Sequence, residues 1–274
     1  MPSNAELKEQ FSGLIKKYAE VVVKGDLEIQ EDTTITSLKF ADFIKVTSTL
    51  TISKCPNITF DLVASKIHTL ILKDSELTNI KGIKQMKDLM DLNLDNNRIS
   101  DLSEIKYLPY LMQLSFNNNQ VISLKGVENH KDLKMLKLEN NQIKSIEELR
   151  GLSALTFLDL SENQISSLKG IENLQTIIHL YLNNNKFTDL PLEKLVNIKV
   201  LDLSDNIDVE NLQSLTNLVN ITELHLSGMK VQSVKCLEKL TNLVKLDLQD
   251  NFIKDFSAIQ HHPNYKNYML DYQE

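Results

Sequence analysis

The branched aliphatic residues of this chain return at a fixed spacing. The pattern L-x-x-L-x-L-x-x-N-x-I-x-x-L can be laid down nine times, from Ile67, Leu89, Leu111, Leu133, Leu155, Ile177, Ile198, Ile221 and Leu243, in steps of 22 residues apart from one of 21 and one of 23. In the second frame the markers are Leu89, Leu92, Leu94, Asn97, Ile99 and Leu102; in the fifth they are Leu155, Leu158, Leu160, Asn163, Ile165 and Leu168. Fragments of the pattern precede the series at Leu50, Ile52 and Cys55 and follow it at Tyr265, Tyr268 and Leu270. A period of this length is the signature of a repeat architecture, in which each unit buries its apolar face only against its neighbours.

The period is read position by position. In a short strand alternate side chains face opposite ways, so the apolar residues at positions four and six of each frame point into a core, and positions three, five and seven point outward. The asparagine column (Asn97, Asn119, Asn141, Asn163, Asn185, Asn206, Asn251) stands where the chain leaves the strand, and its amides can satisfy interior backbone groups. Cys55 and Ser75 are small substitutes at the start of that column, and Met229 interrupts it. A second apolar pair returns at positions 17 and 20 (Ile83 with Met86, Ile105 with Leu108, Leu149 with Leu152, Ile171 with Leu174, Leu237 with Leu240), on a limb with room for a turn or two of 3-10 or α helix. The expected fold is an α/β solenoid: a right-handed, curved stack with a concave parallel sheet, short convex 3-10 or helical segments and an N-terminal helical cap.

The ends of such a stack need covering. Residues 1–43 read as the capping region: an amphipathic helix over 4–23, with Leu7, Phe11, Leu14, Ile15, Tyr18 and Val22 on one side and Ser3 and Asn4 as caps, then a strand-like stretch from Leu27 to Phe43. Residues 44–274 read as the stack of about ten repeats, with Tyr265, Tyr268 and Tyr272 in a C-terminal cap from about residue 257. Near Asn206, Ile207 and Val209 straddle the expected apolar position and predict a local bulge.

Composition narrows the function. The formal charge of −7 and pI near 5.5 speak against a general affinity for nucleic acid phosphates or anionic lipid and favour a partner with a basic surface. The charged first 25 residues lack the apolar core of about 7 to 15 residues that a secretory leader carries, and no stretch approaches about 18 uninterrupted apolar residues. A cytoplasmic location is therefore expected, with nucleus and cytoskeleton as variants. Cys55 and Cys236 fall on different rungs and faces and read as free thiols; the N-x-T matches at Asn57 and Asn220 are weak signals. G-x-S-x-G, G-x-x-x-x-G-K-[ST] and H-E-x-x-H are all absent, so no enzyme, cofactor or metal is expected. His179 and His225 face the same way from rungs two steps apart, on the order of 10 Å at strand spacing, too far to share a metal. His130 falls at a buried return-limb position, and the adjacent His261 and His262 should point apart.

The 22-residue frame, with asparagine and isoleucine in its turn, and the recurring Lys-Gly-Ile or Lys-Gly-Val linker (Lys81–Ile83, Lys125–Val127, Lys169–Ile171), resembles the leucine-rich-repeat class typified by the nuclear regulatory subunit of protein phosphatase 1. The resemblance covers most of the chain and implies a binding scaffold that grips a phosphatase with acidic and aromatic side chains on its concave rungs. The third-position series here is Asp91, Gln113, Met135, Phe157, His179, Val200, Glu223 and Lys245, of which Asp91, Phe157 and Glu223 have that character. Axonemal, spliceosomal, tubulin-cofactor and bacterial internalin proteins share the frame. A structural part of a cytoskeletal or axonemal assembly is thus the alternative, and a secreted adhesion module is disfavoured by the missing leader.

On the outward stripes the middle is apolar (Met90, Met112, Met135, Phe157, Ile178 and Tyr181, with Ile71 at the edge) and the C-terminal half is acidic (Asp159, Asp202, Glu223 and Asp247, with Glu162, Asp205 and Asp250 beside them). Aromatics and methionines suit interface centres, and surrounding charge selects partners. The candidate partner-binding residues are Met90, Asp91, Met112, Met135, Phe157, Asp159, His179, Tyr181, Asp202, Glu223, His225 and Asp247, with Phe157 and Tyr181 as anchors and a free chain expected to be monomeric. The competing reading is that the stripes are merely the tolerated variable positions of a stable stack.

Overall fold

The computed structural model describes residues 4–18, 22, 25–43, 46–60, 66–209, 211–271 and 273. The chain forms two compact units, residues 1–121 with 125–130, and 122–124 with 131–274.

In the first unit, β1 (Leu27–Gln30), β2 (Thr49–Ser53), β3 (Thr69–Lys73), β4 (Asp91–Asn93) and β5 (Gln113–Ser115) pair in parallel, in chain order. In the second, β6 (Met135–Lys137), β7 (Phe157–Asp159), β8 (His179–Tyr181), β9 (Val200–Asp202), β10 (Glu223–His225) and β11 (Lys245–Asp247) do the same. Equivalent frame positions are register partners throughout: Leu70 faces Leu92 across β3 and β4, and Leu158 faces Leu180 across β7 and β8. One further bridge on each side of the last strand exit, Asp247 with Met269 and Asn251 with Gln273, carries the stack beyond β11.

The period predicts the interior. Leu136, Leu138, Leu158, Leu160, Leu180 and Leu182 are fully buried, as are the return-limb residues Ile105, Leu108, Leu149, Leu152, Ile171 and Leu174. The limbs are 3-10 turns, among them Ser103–Tyr107, Glu147–Gly151, Ile171–Asn173 and Gln213–Asn217. Two turn chemistries lead into them. At the Lys-Gly linkers a glycine in the left-handed region precedes the turn, and the Gly170 N–H is held by Glu172 Oε2 at 2.7 Å. In intervening repeats a side-chain oxygen accepts from two residues on, as Asp101 Oδ1 does from Ser103 N–H at 2.8 Å.

The asparagine column does what its position suggests. Asn163 Nδ2 donates to the carbonyls of Leu138 (2.9 Å) and Leu160 (3.1 Å), while its Oδ1 accepts Ile143 N–H (3.0 Å). Asn97 repeats this with Leu72, Leu94 and Leu77 in the first unit. One amide thus ties two rungs together and leaves few interior backbone groups unmatched. The residue before each column member takes a positive φ, at Asn96, Asn118, Asn140 and Asn184 but also at Glu162, Asp74, Asp205 and Asp250. Gln273 fills the same role one repeat after Asn251, donating to Leu248 and Leu270 and accepting from Ile253 N–H.

Two local expectations are modified, and the irregular rung at Asn206 takes a definite form. The helix over 4–23 is two segments, α1 (Asn4–Gln10) and α2 (Ser12–Tyr18), bridged by an Ile15 N–H to Phe11 carbonyl bond of 2.8 Å. Phe11 and Tyr18 are buried and Leu14, Ile15 and Val22 half-buried; residues 19–21 and 23, Ser3, and the side chains of Asn4 and Leu7 lie outside the described set, as does Tyr272. The strand from Leu27 stops at Gln30. Asp32 Oδ1 takes the N–H of Thr34 and Ser37 Oγ that of Lys39, and these turns lead into a 3-10 helix at Leu38–Phe43. Near Asn206, Val209 is buried and Ile207 is left exposed, and Met229 fills the column position, buried.

Candidate interaction face

Each short strand presents two outward side chains. In the first unit the third-position row runs Thr49, Thr69, Asp91, Gln113 and the fifth-position row Thr51, Ile71, Asn93, Ser115. Thr69 Oγ1 meets Asp91 Oδ2 at 3.4 Å, Met90 is 40% exposed at the entrance to β4, and Met112 at the entrance to β5 is half-buried.

In the second unit the third-position row is Met135, Phe157, His179, Val200, Glu223 and Lys245, and the fifth-position row Lys137, Asp159, Tyr181, Asp202, His225 and Asp247. Three rings gather there. The Phe157 centroid lies 5.8 Å from that of His179 and 5.4 Å from that of Tyr181, in tilted contact. All three are half-buried, held by strand pairing with their outer surfaces open.

The charges around them divide into matched and unmatched. Glu223 accepts from His225 Nε2 at 3.0 Å and pairs with Lys245 Nζ at 3.1 Å. The His225 hydrogen bond holds the Glu223 carboxyl below its ordinary range, against the opposing effect of burial, and Lys245 adds to it. Asp159 and Asp202 stand on either side of Tyr181 in register; Asp159 Oδ1 accepts Ser161 N–H (3.1 Å) and Asp202 Oδ1 accepts Ser204 N–H (3.0 Å). Burial pushes the Tyr181 phenol up, and the negative charges of Glu223, Asp159 and Asp202 push it the same way. Burial likewise raises Asp205, with Asp202 and Asp250 adding to it.

All twelve candidate residues occupy outward or strand-entrance positions, Met90, Asp91 and Met112 in the first unit and the other nine in the second. The structure draws Phe157, His179 and Tyr181 into one cluster and His225 onto Glu223, while Asp247 stands beside His225 in register. One participant escapes sequence reasoning, Lys137, whose Nζ lies 5.3 Å from the Phe157 ring centroid, and another, Lys245, stands in the third-position series with no role read for it. Both sit in the outward rows, but attention to apolar and acidic positions passes over basic ones.

Of the remaining histidines, His130 and His262 are bonded to backbone. His130 is buried, with Nδ1 3.2 Å from the Val127 carbonyl and Nε2 3.0 Å from that of Leu108. His262 is buried against Tyr268 Oη and the Glu238 carbonyl, whereas His261 is exposed. Among the described residues, no group of three or more His, Cys, Asp or Glu could hold a metal ion, and no helix is long and apolar enough to cross a membrane.

The family model described as Leucine Rich repeats (2 copies) matches residues 131–175, 153–194 and 219–261. These are leucine-rich repeats. The leucine-rich-repeat solenoid expected from the period is the fold observed, and solved structures agree. An internalin, inlF, from Listeria monocytogenes is 20% identical, with a TM-score of 0.75 over 98% of this chain and 89% of that one. A leucine-rich-repeat protein of Leptospira interrogans is 25% identical, with a TM-score of 0.77 over 89% of this chain and 64% of that one. A plant peptide hormone receptor, RGFR1, solved in complex with RGF2, is 23% identical, with a TM-score of 0.63 over 81% of this chain and 38% of that one. No curated protein sequence matches the chain.

Proposed function

We propose that this protein is a non-catalytic scaffold that holds a partner protein with a basic surface against its outward strand rows, anchored by Phe157 and Tyr181. The carrying observation is the ring cluster of Phe157, His179 and Tyr181, half-buried on a regular strand face and bordered by carboxylates. Aromatic side chains fixed by the fold and open on one side lose little entropy on contact, which is why such residues dominate interface energetics. The plant receptor of similar fold was solved with RGF2 bound, which fits a leucine-rich repeat in the role of binder.

The repeat frame makes a phosphatase catalytic subunit the first partner to look for, and a cytoskeletal polymer the alternative, both in the cytoplasm. The test is a pull-down from cell extract with the intact chain and a Phe157→Ala, Tyr181→Ala variant, identifying by mass spectrometry what only the unmodified chain retains. A partner lost with both rings supports the scaffold reading, with at least a roughly tenfold loss of affinity expected. Equal retention by a folded double variant overturns the anchors.

A further inference from the structure

Resting on that reading of the face, we propose that Tyr181, with Asp159 and Asp202 on either side, forms a seat for one arginine side chain of the partner, carried in an extended basic segment. Three observations converge on it. First, the fifth-position row places Asp159, Tyr181 and Asp202 on consecutive strands in register, so two carboxylates flank one ring. Their backbones are two strand spacings apart, about 10 Å, a gap that a guanidinium hydrogen-bonded on both edges spans.

Second, the negative charge there is not tied up in an ion pair: Lys137 is the register partner of Asp159, but its ammonium stands over the Phe157 ring. Glu223 has Lys245 and His225, but among the described residues neither Asp159 nor Asp202 has an ion pair. Each spends one oxygen on a backbone N–H of its own turn, leaving Oδ2 available to an incoming donor. Asp205 and Asp250 add to the same field.

Third, the face already accepts a cation on an aromatic ring one strand away, where Lys137 stands over Phe157 at 5.3 Å. Among the described residues no lysine or arginine stands over Tyr181, whose ring offers the same attraction. Arginine fits better than lysine because its planar group can stack on the phenol while its edges donate to both carboxylates.

Fluorescence anisotropy with the full chain tests this, using a fluorescein-labelled peptide of alternating glycine and arginine and its citrulline and lysine counterparts. Citrulline keeps the shape and loses the charge. The arginine peptide should bind at least about tenfold tighter than the citrulline peptide and several-fold tighter than the lysine peptide. Tyr181→Ala should abolish the preference and Tyr181→Phe retain it. Asp159→Asn and Asp202→Asn preserve the Oδ1 that each turn uses, so the fold survives, and each should weaken arginine binding by about threefold or more. Glu147→Gln, on a return limb, controls for general acidity and should change nothing. Equal binding of the citrulline or lysine peptide, or Asp→Asn variants that bind as the unmodified chain does, overturns the seat. Should the pull-down still return a partner that depends on Phe157 and Tyr181, the scaffold reading survives the loss of the seat. Should the peptides show a selective seat while no such partner is retained, the seat stands and the scaffold reading falls.

Discussion

The two units share one frame and carry different faces. The outward rows of the first unit are dominated by threonine, asparagine, glutamine and serine, with Asp91 as the one acid of its third-position row among β2 to β5. Those of the second hold a phenylalanine, a tyrosine, two histidines and four carboxylates on strands paired in the same register. Behind both faces the interior is built alike, with leucine at most inward positions and asparagine at most strand exits, Cys55, Ser75 and Met229 taking its place on three rungs. Folding is thus carried by one set of positions and recognition by another, and the second set can vary without disturbing the first.

Substitutions at matched positions test that division. The largest contrast should lie between two linker glycines. A Cβ on Gly82 would stand 1.8 Å from the Phe60 carbonyl oxygen, whereas on Gly170 its nearest neighbour would be the flexible Arg150 side chain, at 3.2 Å, with the Glu147 Cα at an ordinary contact distance of 3.6 Å. Both have positive φ, so both alanine variants lose stability, but Gly82→Ala should cost about 3 kcal/mol or more and Gly170→Ala about 1 kcal/mol in chemical denaturation. Equal losses would show that the linker conformation matters and the contact does not.

Next, Asn97→Ala and Asn163→Ala each orphan interior carbonyls and N–H groups, one in each unit. Both should lose about 3 kcal/mol, against less than about 0.5 kcal/mol for Tyr181→Ala on the face. A costly Tyr181→Ala would merge the two sets of positions.

A third test concerns Asp32 in the cap, whose carboxylate takes Lys17 Nζ at 2.7 Å, Tyr18 Oη, and Thr34 Oγ1 at 2.5 Å. Burial alone would raise its pKa, but the hydrogen bonds from Lys17, Thr34 and Tyr18 outweigh burial and hold it well below the usual carboxylate range. A group lowered in the folded state gives stability that is present above its unfolded value of about 3.9 and is lost as pH falls below that value. Asp32→Asn should cost about 2 kcal/mol at neutral pH and flatten the acid limb of a thermal-melt series below about pH 4. An unchanged acid limb would place the acid sensitivity elsewhere.

The smallest effect should be a gain. Glu162 holds φ 53°, a conformation that asparagine tolerates better, as Asn96, Asn118, Asn140 and Asn184 do at the same position. Glu162→Asn should add about 0.5 to 1 kcal/mol, checked by denaturation midpoint.

Much of this architecture is legible in the sequence because a repeat states its own rule many times over. The leucine register, the asparagine column and the return-limb pairs each follow from the period, and even the displaced rung at Asn206 shows as a step of 21 followed by one of 23. Legibility fails where a segment occurs once. The early end of β1 goes with local turn bonds at Asp32 and Ser37, and the break between α1 and α2 falls at Phe11; no periodicity announces either. The positive φ before each column residue is masked at Glu162, whose longer side chain lacks the short local acceptor that asparagine, and aspartate at Asp205 and Asp250, bring to this conformation. The face is the hardest to read, since its positions vary by design of the repeat; its composition is visible, but the meeting of Phe157 with Tyr181 and of Lys137 with Phe157 is a matter of distance.

The linker glycines set a second, longer period on the chain. Position 16 of successive frames reads Gly82, Glu104, Gly126, Glu148, Gly170, so glycine returns every 44 residues and not every 22. In this stretch the shortest unit that returns unchanged at that position is therefore a pair of repeats, a glycine limb followed by an acidic one, and removing a single repeat would set two like limbs side by side where removing a pair would keep the alternation.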